Sequence, residues 1–203
     1  MKKAQSEDIL YLTEEEEQRL FKAVKKQKSL RDICLFSFML HFGLRLKEAL
    51  HIKLDDFEKR SDGIRLFIRR VKNGESKSER LITGDITLYL NWLKARSKFK
   101  NSEVNPYLFI SRKSGAGMIT MQAIQWAMLR YSQQAGIKRD KSHPHVLRHT
   151  AAVRLLMAGG DVYTVQDCLG HRNITSSMKY LKLSDPDRDR RLGGVREKAF
   201  STR

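Results

Sequence analysis

Three histidines and an arginine crowd the stretch HPHVLRHT at residues 143–150. Histidines this dense serve metal coordination, proton transfer or anion binding, and their neighbours decide which. A zinc site would have to draw on His143, His145, His149, Cys168 and His171, whose spacing fits no standard finger. His145 and His149 stand at i and i+4, yet the glutamate that a zincin carries between them is absent, and Arg148 sets a permanent cation beside any metal. His145 and Arg148 share one helical face, where a planar guanidinium fork and an imidazole together suit a phosphate better than a cation.

Cutting a phosphodiester without metal requires a nucleophile, cations on the non-bridging oxygens and an acid for the leaving 5′ oxygen. Separated pieces of the chain carry those types: Arg45 in GLRLKEAL, Lys72 in VKNGESK, His145 and Arg148 in HVLRH, His171 in LGH, and Tyr180 nine residues later in MKYL. Taken singly, each has an ordinary explanation. A tyrosine on an amphipathic helix is usually core or interface, a lone arginine is a surface salt bridge about as often as not, and a histidine after a helix can be a cap. A competing motif is a helix-turn-helix over MAGGDVYTVQDCLGHRNITSSMKYL.

The segments GLRLKEAL, HPHVLRHTAAVRLL and LGHRNITSSMKY, with the lysine-bearing hairpin, resemble the tyrosine recombinase (phage integrase) family over residues 11–184. The family order is Arg, Lys, His-x-x-Arg, His, Tyr. The resemblance implies a site-specific DNA recombinase in which Tyr180 attacks the scissile phosphate and becomes a 3′-phosphotyrosine. Arg45 and Arg148 would clamp the non-bridging oxygens with His171 as a further donor, His145 would assist proton transfer at the nucleophile, and Lys72 would protonate the 5′ hydroxyl, with Lys77 of the same hairpin as the alternative acid. Glu48 matches the supporting acidic position and His149 a position behind the site. Lys77, Arg80, Arg112 and Arg172 are expected to contact DNA. No metal or cofactor is implied; the partner is double-stranded DNA, held by a homo-oligomer (dimer or tetramer). Alternatives are a type IB topoisomerase-like enzyme and a DNA-binding regulator that does not cut. Integrases usually carry a helical clamp domain before this unit; the short lead here implies either a compact recombinase similar to the fimbrial phase-variation invertases or an isolated catalytic domain.

The bulk composition agrees with a polyanion partner. Of 203 residues, 40 are Lys or Arg and 23 Asp or Glu, a net charge of +17. Residues 31–184 hold 27 basic and 13 acidic groups, so the excess lies on the body rather than on a tail. Two cysteines, Cys34 and Cys168, sit in apolar helical patterns and read as small core residues of a reducing cytosol. With no signal-like lead and no membrane-length apolar run, a cytoplasmic protein without membrane contact is expected.

The elements that must position these groups follow from pattern. Thr13 and Glu16 form a capping box before a helix with Leu20, Phe21 and Val24 on one face. Residues 30–42 are apolar all round, a buried helix that Gly43 breaks before LRLKEALHI restarts. Ile64, Leu66 and Ile68 alternate with Arg65, Phe67 and Arg69, so residues 63–83 read as a β-hairpin turning at KNGES. Asp85 is the expected cap of a helix to about Lys98, YLFIS is a short strand or loop, and Thr120 opens a helix ending at Gly136. Helices over 145–158, 161–169 and 175–183 follow, the last capped by Thr175. The fold class is α+β, mostly helical, with a small antiparallel sheet: one catalytic domain at 1–184 and an Arg-rich tail at 185–203 that could dock on a neighbouring protomer.

Overall fold

A computed structural model describes residues 9–71, 74–111 and 117–183. Lys72, Arg112 and the 185–203 tail therefore lie outside the described residues.

The capping box forms as its sequence dictates: Thr13 Oγ1 accepts the Glu16 N–H at 3.2 Å, the Glu16 carboxylate accepts the Thr13 N–H at 2.9 Å, and α1 runs Glu14–Lys26. The all-apolar segment becomes α2 (Leu30–His41), buried from Arg31 to Leu40, and it is the post around which the domain packs. Gly43 ends it in the left-handed region at φ +56°, where a Cβ would lie 2.6 Å from the Leu169 side chain, and α3 (Leu46–Leu50) restarts at once.

The sheet has three strands, one more than the hairpin reading. β1 (Phe57–Arg60), β2 (Gly63–Ile68) and β3 (Lys77–Arg80) form an antiparallel meander with Phe57 opposite Leu66 and Leu66 opposite Glu79. The sequence FEKR hides β1 because three of its four residues face solvent and no alternation marks it. In β2 the period-two pattern holds: Leu66 and Ile68 are buried while Phe67 is exposed.

Pairing stops at Arg80, short of the expected residue 83, and α4 spans Thr83–Arg96. Asp85 is not its N-cap but sits in the first turn, accepting the Ile82 N–H at 3.4 Å and meeting His41 Nδ1 at 2.6 Å. Leu108, Phe109 and Ile110 of YLFIS are buried, with isolated bridges Lys53–Tyr107 and Ile110–Met118 instead of a strand. Thr120 caps α5 (Met121–Gln134) through the Ala123 N–H at 3.2 Å.

α6 (His145–Met157) packs on α2, and α7 (Val162–Leu169), capped by Asp161 and ended by left-handed Gly170, packs on α6. The expected helix over 175–183 is a single turn, α8 (Thr175–Met178), tightening into a 3-10 turn at Lys179–Leu183. Thr175 is not its cap either; its own N–H goes to Asn173 Oδ1 at 2.9 Å. So short a second helix does not make the recognition helix of a helix-turn-helix.

Two apolar clusters result. The larger gathers α1 to α5, the sheet and the start of α6. The smaller joins Ala152, Val153 and Leu156 to Val165, Leu169 and Tyr180, with Ile9 and Tyr11 packed against it. Cys34 is fully buried, whereas Cys168 is only partly so. No helix among the described residues is long and apolar enough to cross a membrane.

Candidate nucleic-acid-cleaving site

The site is built around one buried carboxylate. Because α3 begins immediately after the Gly43 turn, Arg45 stands at its N-cap and Glu48 in its first turn. The Arg45 N–H donates to Glu48 Oε2 at 2.9 Å and its Nη1 to Oε1 at 2.7 Å. Arg70 Nη1, from just beyond β2, donates to Oε2 at 3.0 Å, and the Val71 N–H reaches Oε1 at 3.3 Å. Burial alone would raise the Glu48 carboxyl, but the Arg45 N–H and the charges of Arg70 and Arg45 hold it below the usual carboxylate range. It is therefore the fixed anion of a strongly cationic pocket.

Arg148, one turn into α6, is 1 % exposed. Its Nη1 donates to the Gly43 carbonyl at 2.5 Å and its Nη2 to the Leu169 carbonyl at 2.8 Å, with Glu48 3.9 Å away. One guanidinium thus ties the turn after α2 to the end of α7. Burial, then the nearby charge of Arg45, lowers its pKa to about 10, so it remains charged at neutral pH.

Left-handed Gly170 closes α7 and hands the chain to His171, whose N–H donates to the Gln166 carbonyl at 3.0 Å. The His171 ring is set by Ser177, with Nδ1 and Oγ 2.8 Å apart, and the Gln166 side chain holds its carbonyl at 3.0 Å.

Tyr180 is 1 % exposed, its ring in the smaller apolar cluster and its hydroxyl 2.7 Å from His149 Nδ1. His145 stacks edge-on against His149 with ring centroids 4.4 Å apart, and Lys179 Nζ lies 5.1 Å over the Tyr180 ring. So His149, expected only to pack behind the site, is the histidine that touches the tyrosine hydroxyl; the more exposed His145 meets it through the His149 ring. The lead segment closes over this corner, where the Leu12 N–H donates to Thr150 Oγ1 at 2.9 Å.

Burial first, and then the surrounding cations, keeps all three imidazoles neutral. His145 and His171 fall to about 4, each with Arg148 as the leading charge, and His149 falls to about 3 with His145 as its main neighbour. Burial pushes the Tyr180 hydroxyl up to about 12 against the pull of Arg148 and Arg45. Such a pocket is poised for an anion, since a phosphate would satisfy the guanidinium and imidazole groups together.

The structure therefore brings together Arg45, Glu48, His145, Arg148, His149, His171 and Tyr180 around one corner formed by α3, α6, α7 and α8. Lys77, named above as the alternative acid, is ion-paired. Its ammonium is held by Glu79 and by Asp167 at 2.7 Å, and although burial opposes it, these partners raise its pKa further from neutrality. Arg80 is exposed on β3 opposite Arg65, and Arg172 is exposed beside His171, lining a cleft with Lys77, Tyr163 and Asp167. Sequence reasoning overlooked Arg70, whose side chain is 0 % exposed. The signal was present: continuing the inward series Ile64, Leu66, Ile68 by two places leads to residue 70.

Known proteins resemble this chain over most of its length. The model of the phage integrase family matches residues 10–186. The type 1 fimbriae regulatory protein FimE of Escherichia coli K12 is 33% identical over 174 residues, 84% of this chain and 84% of the relative. Tyrosine recombinase XerA of Pyrococcus furiosus is 30% identical over 176 residues, 85% of this chain and 57% of the relative. Among solved structures, XerA recombinase superposes with a TM-score of 0.73 at 25% identity, over 94% of this chain and 65% of that one. XerH bound to its palindromic difH substrate superposes at 0.76 over 97% of this chain, which spans 55% of XerH; at 24% identity this likeness concerns the fold.

Proposed function

This chain belongs to the phage integrase family and is a tyrosine-type recombinase, and on that premise we propose that it breaks and rejoins double-stranded DNA at specific sites using Tyr180 as the nucleophile. The observation that carries the assignment of residues is the shared corner itself. Arg45 and Arg148 converge on Glu48, His171 is aimed by Ser177, and the Tyr180 hydroxyl sits on neutral His149.

In this reading the scissile phosphate enters against Arg45, Arg148 and His171, whose positive charge and donors stabilise the oxygens on which negative charge accumulates. The Tyr180 oxygen bonds to phosphorus as the P–O5′ bond breaks, leaving a 3′-phosphotyrosine and a 5′ hydroxyl. The tyrosine proton passes to an imidazole; His149 is in hydrogen-bond contact and His145 stands next to it. A second proton goes to the 5′ oxygen, a task for Lys72 because Lys77 is engaged by two carboxylates. Attack by another strand's 5′ hydroxyl reverses the step, so bond energy is retained and no nucleotide is consumed. Lys77, Arg80, Arg112 and Arg172 are proposed DNA contacts, and exchange between strands calls for a dimer or tetramer on DNA.

The test is adduct trapping. A pool of nicked duplexes with randomised sequence should yield a detergent-resistant protein–DNA complex with the wild-type chain. Tyr180→Phe should bind the same duplexes and form none; an adduct persisting in that variant would overturn the assignment of the nucleophile.

A further inference from the structure

Arg70 holds a position that no part of the reaction described above uses. Its side chain is fully enclosed, yet three elements converge on it. Nη1 donates to Glu48 Oε2 at 3.0 Å on α3; Nη2 donates to the Phe42 carbonyl at 3.2 Å, just past α2, and to the Cys168 carbonyl near the end of α7. Arg148 grips the adjacent carbonyls, Gly43 and Leu169. Two guanidiniums therefore bridge the same pair of chain segments side by side: Arg70 takes residues 42 and 168, Arg148 takes residues 43 and 169.

The surroundings are shaped to Arg70. A Cβ on Gly170 would lie 2.7 Å from its Nε and 2.9 Å from its Cδ; a Cβ on Gly74 would lie 2.8 Å from its Cβ and 2.8 Å from the Gly170 carbonyl. Two glycines thus sandwich the stem, one in the hairpin turn and one immediately before His171. Nε has no hydrogen-bond partner among the described residues, so Arg70 is not held at every donor; the two terminal nitrogens make the ties.

We infer that Arg70 is a positioning residue for strand cleavage, fixing the Arg45–Glu48 pair against Arg148 and His171 and seating the hairpin turn on Gly170, through its bonds to Glu48, Phe42 and Cys168. The inference rests on the recombinase reading of this corner. Its physical content is that Arg70 supplies the share of Glu48 that would otherwise fall to Arg148. Without Arg70, Glu48 keeps the Arg45 and Val71 donors but loses the guanidinium on Oε2, the carbonyls of residues 42 and 168 lose the Arg70 fork, and Arg148 is drawn from phosphate toward the buried carboxylate 3.9 Å away. A sub-ångström to 1 Å displacement of such a clamp costs about 10²-fold in rate.

The test compares two substrates. Nicked duplexes selected by wild-type adduct formation are prepared with a normal scissile phosphate or with a neutral methylphosphonate, which needs less help from cations. Arg70→Met keeps the stem and removes the charge; Arg70→Lys keeps a charge for Glu48 but cannot reach all three partners with a planar fork. With duplex binding retained, both variants should form adduct about 10²-fold more slowly than wild type on the phosphodiester, with the deficit shrinking at least about tenfold on the methylphosphonate. A merely structural role would give equal deficits on both substrates, and equal deficits, or no deficit, would refute the inference. If Arg70→Met does not fold, Arg70→Lys alone decides by the same ratio. Absence of adduct in the wild type would instead sink the recombinase reading and this inference with it.

Discussion

The neutral imidazoles of the site make stability fall in mild acid by an amount that can be worked out. His149 titrates at about 3 and His171 at about 4 in the folded chain, chiefly through burial, against an ordinary value near 6.5. Above pH 6.5 both states carry neutral rings and the preference for neutrality is fully expressed. As pH falls below 6.5 the unfolded chain takes up protons that the folded chain refuses, so stability drops until the folded values are reached. At about pH 5 the difference is about 1.5 pH units per ring, an upper bound of about 2 kcal/mol for each of the two, which solvent screening reduces because both rings are partly open. His145 shifts in the same sense but opens to solvent, so it adds less. Urea unfolding of the wild type and of a His149→Gln, His171→Gln variant, at about pH 7.5 and about pH 5, isolates the effect. The variant should lose less stability between the two pH values, by roughly 1–3 kcal/mol. Equal losses in the two proteins would show that these rings are not held neutral, and the reasoning would fail. Bound duplex should protect the wild type, because a phosphate against the rings favours their charged form.

Other outcomes follow from the same geometry. Asp167→Asn removes one of two carboxylates from Lys77, so duplex binding should tighten at low salt and the slope of log affinity against log salt should steepen by roughly one charge; an unchanged slope would separate Lys77 from DNA. Gly170→Ala forces a side chain at φ +61° into the Arg70 stem, so melting should reveal a loss of about 1–3 kcal/mol. Thr13→Ala removes the side-chain half of the α1 capping box and should cost about 1 kcal/mol of stability while leaving adduct formation as it was.

Much of the fold was legible because its signals are local. A capping box, an all-apolar run, a period-two strand and glycine stops each act within a few residues, and α1, α2, β2, α6 and α7 formed where these placed them. Misjudged elements were those lacking such a signal. β1 is charged and exposed, and α8 is a single turn that passes into the 3-10 turn carrying Tyr180, which packs in the smaller cluster. Asp85 was misplaced by three positions because a carboxylate in the first turn and one at the cap look alike until its partners, the Ile82 N–H and His41, are seen.

The sequence by itself determined which chemistry this chain carries. Residue type and order, with the family resemblance they carry, single out Arg45, Lys72, His145, Arg148, His171 and Tyr180 as the candidates, because a phosphate site needs permanent cations, donors and a nucleophile wherever the chain brings them from. Only the tertiary structure decided how those groups are held. That His149 rather than His145 meets the Tyr180 hydroxyl, that Lys77 is occupied by Asp167, and that Arg70 and Arg148 grip neighbouring carbonyls across two segments depends on contacts spanning up to 105 residues of chain. Such contacts are set by where helices cross and what each burial excludes from water, and no local pattern encodes them.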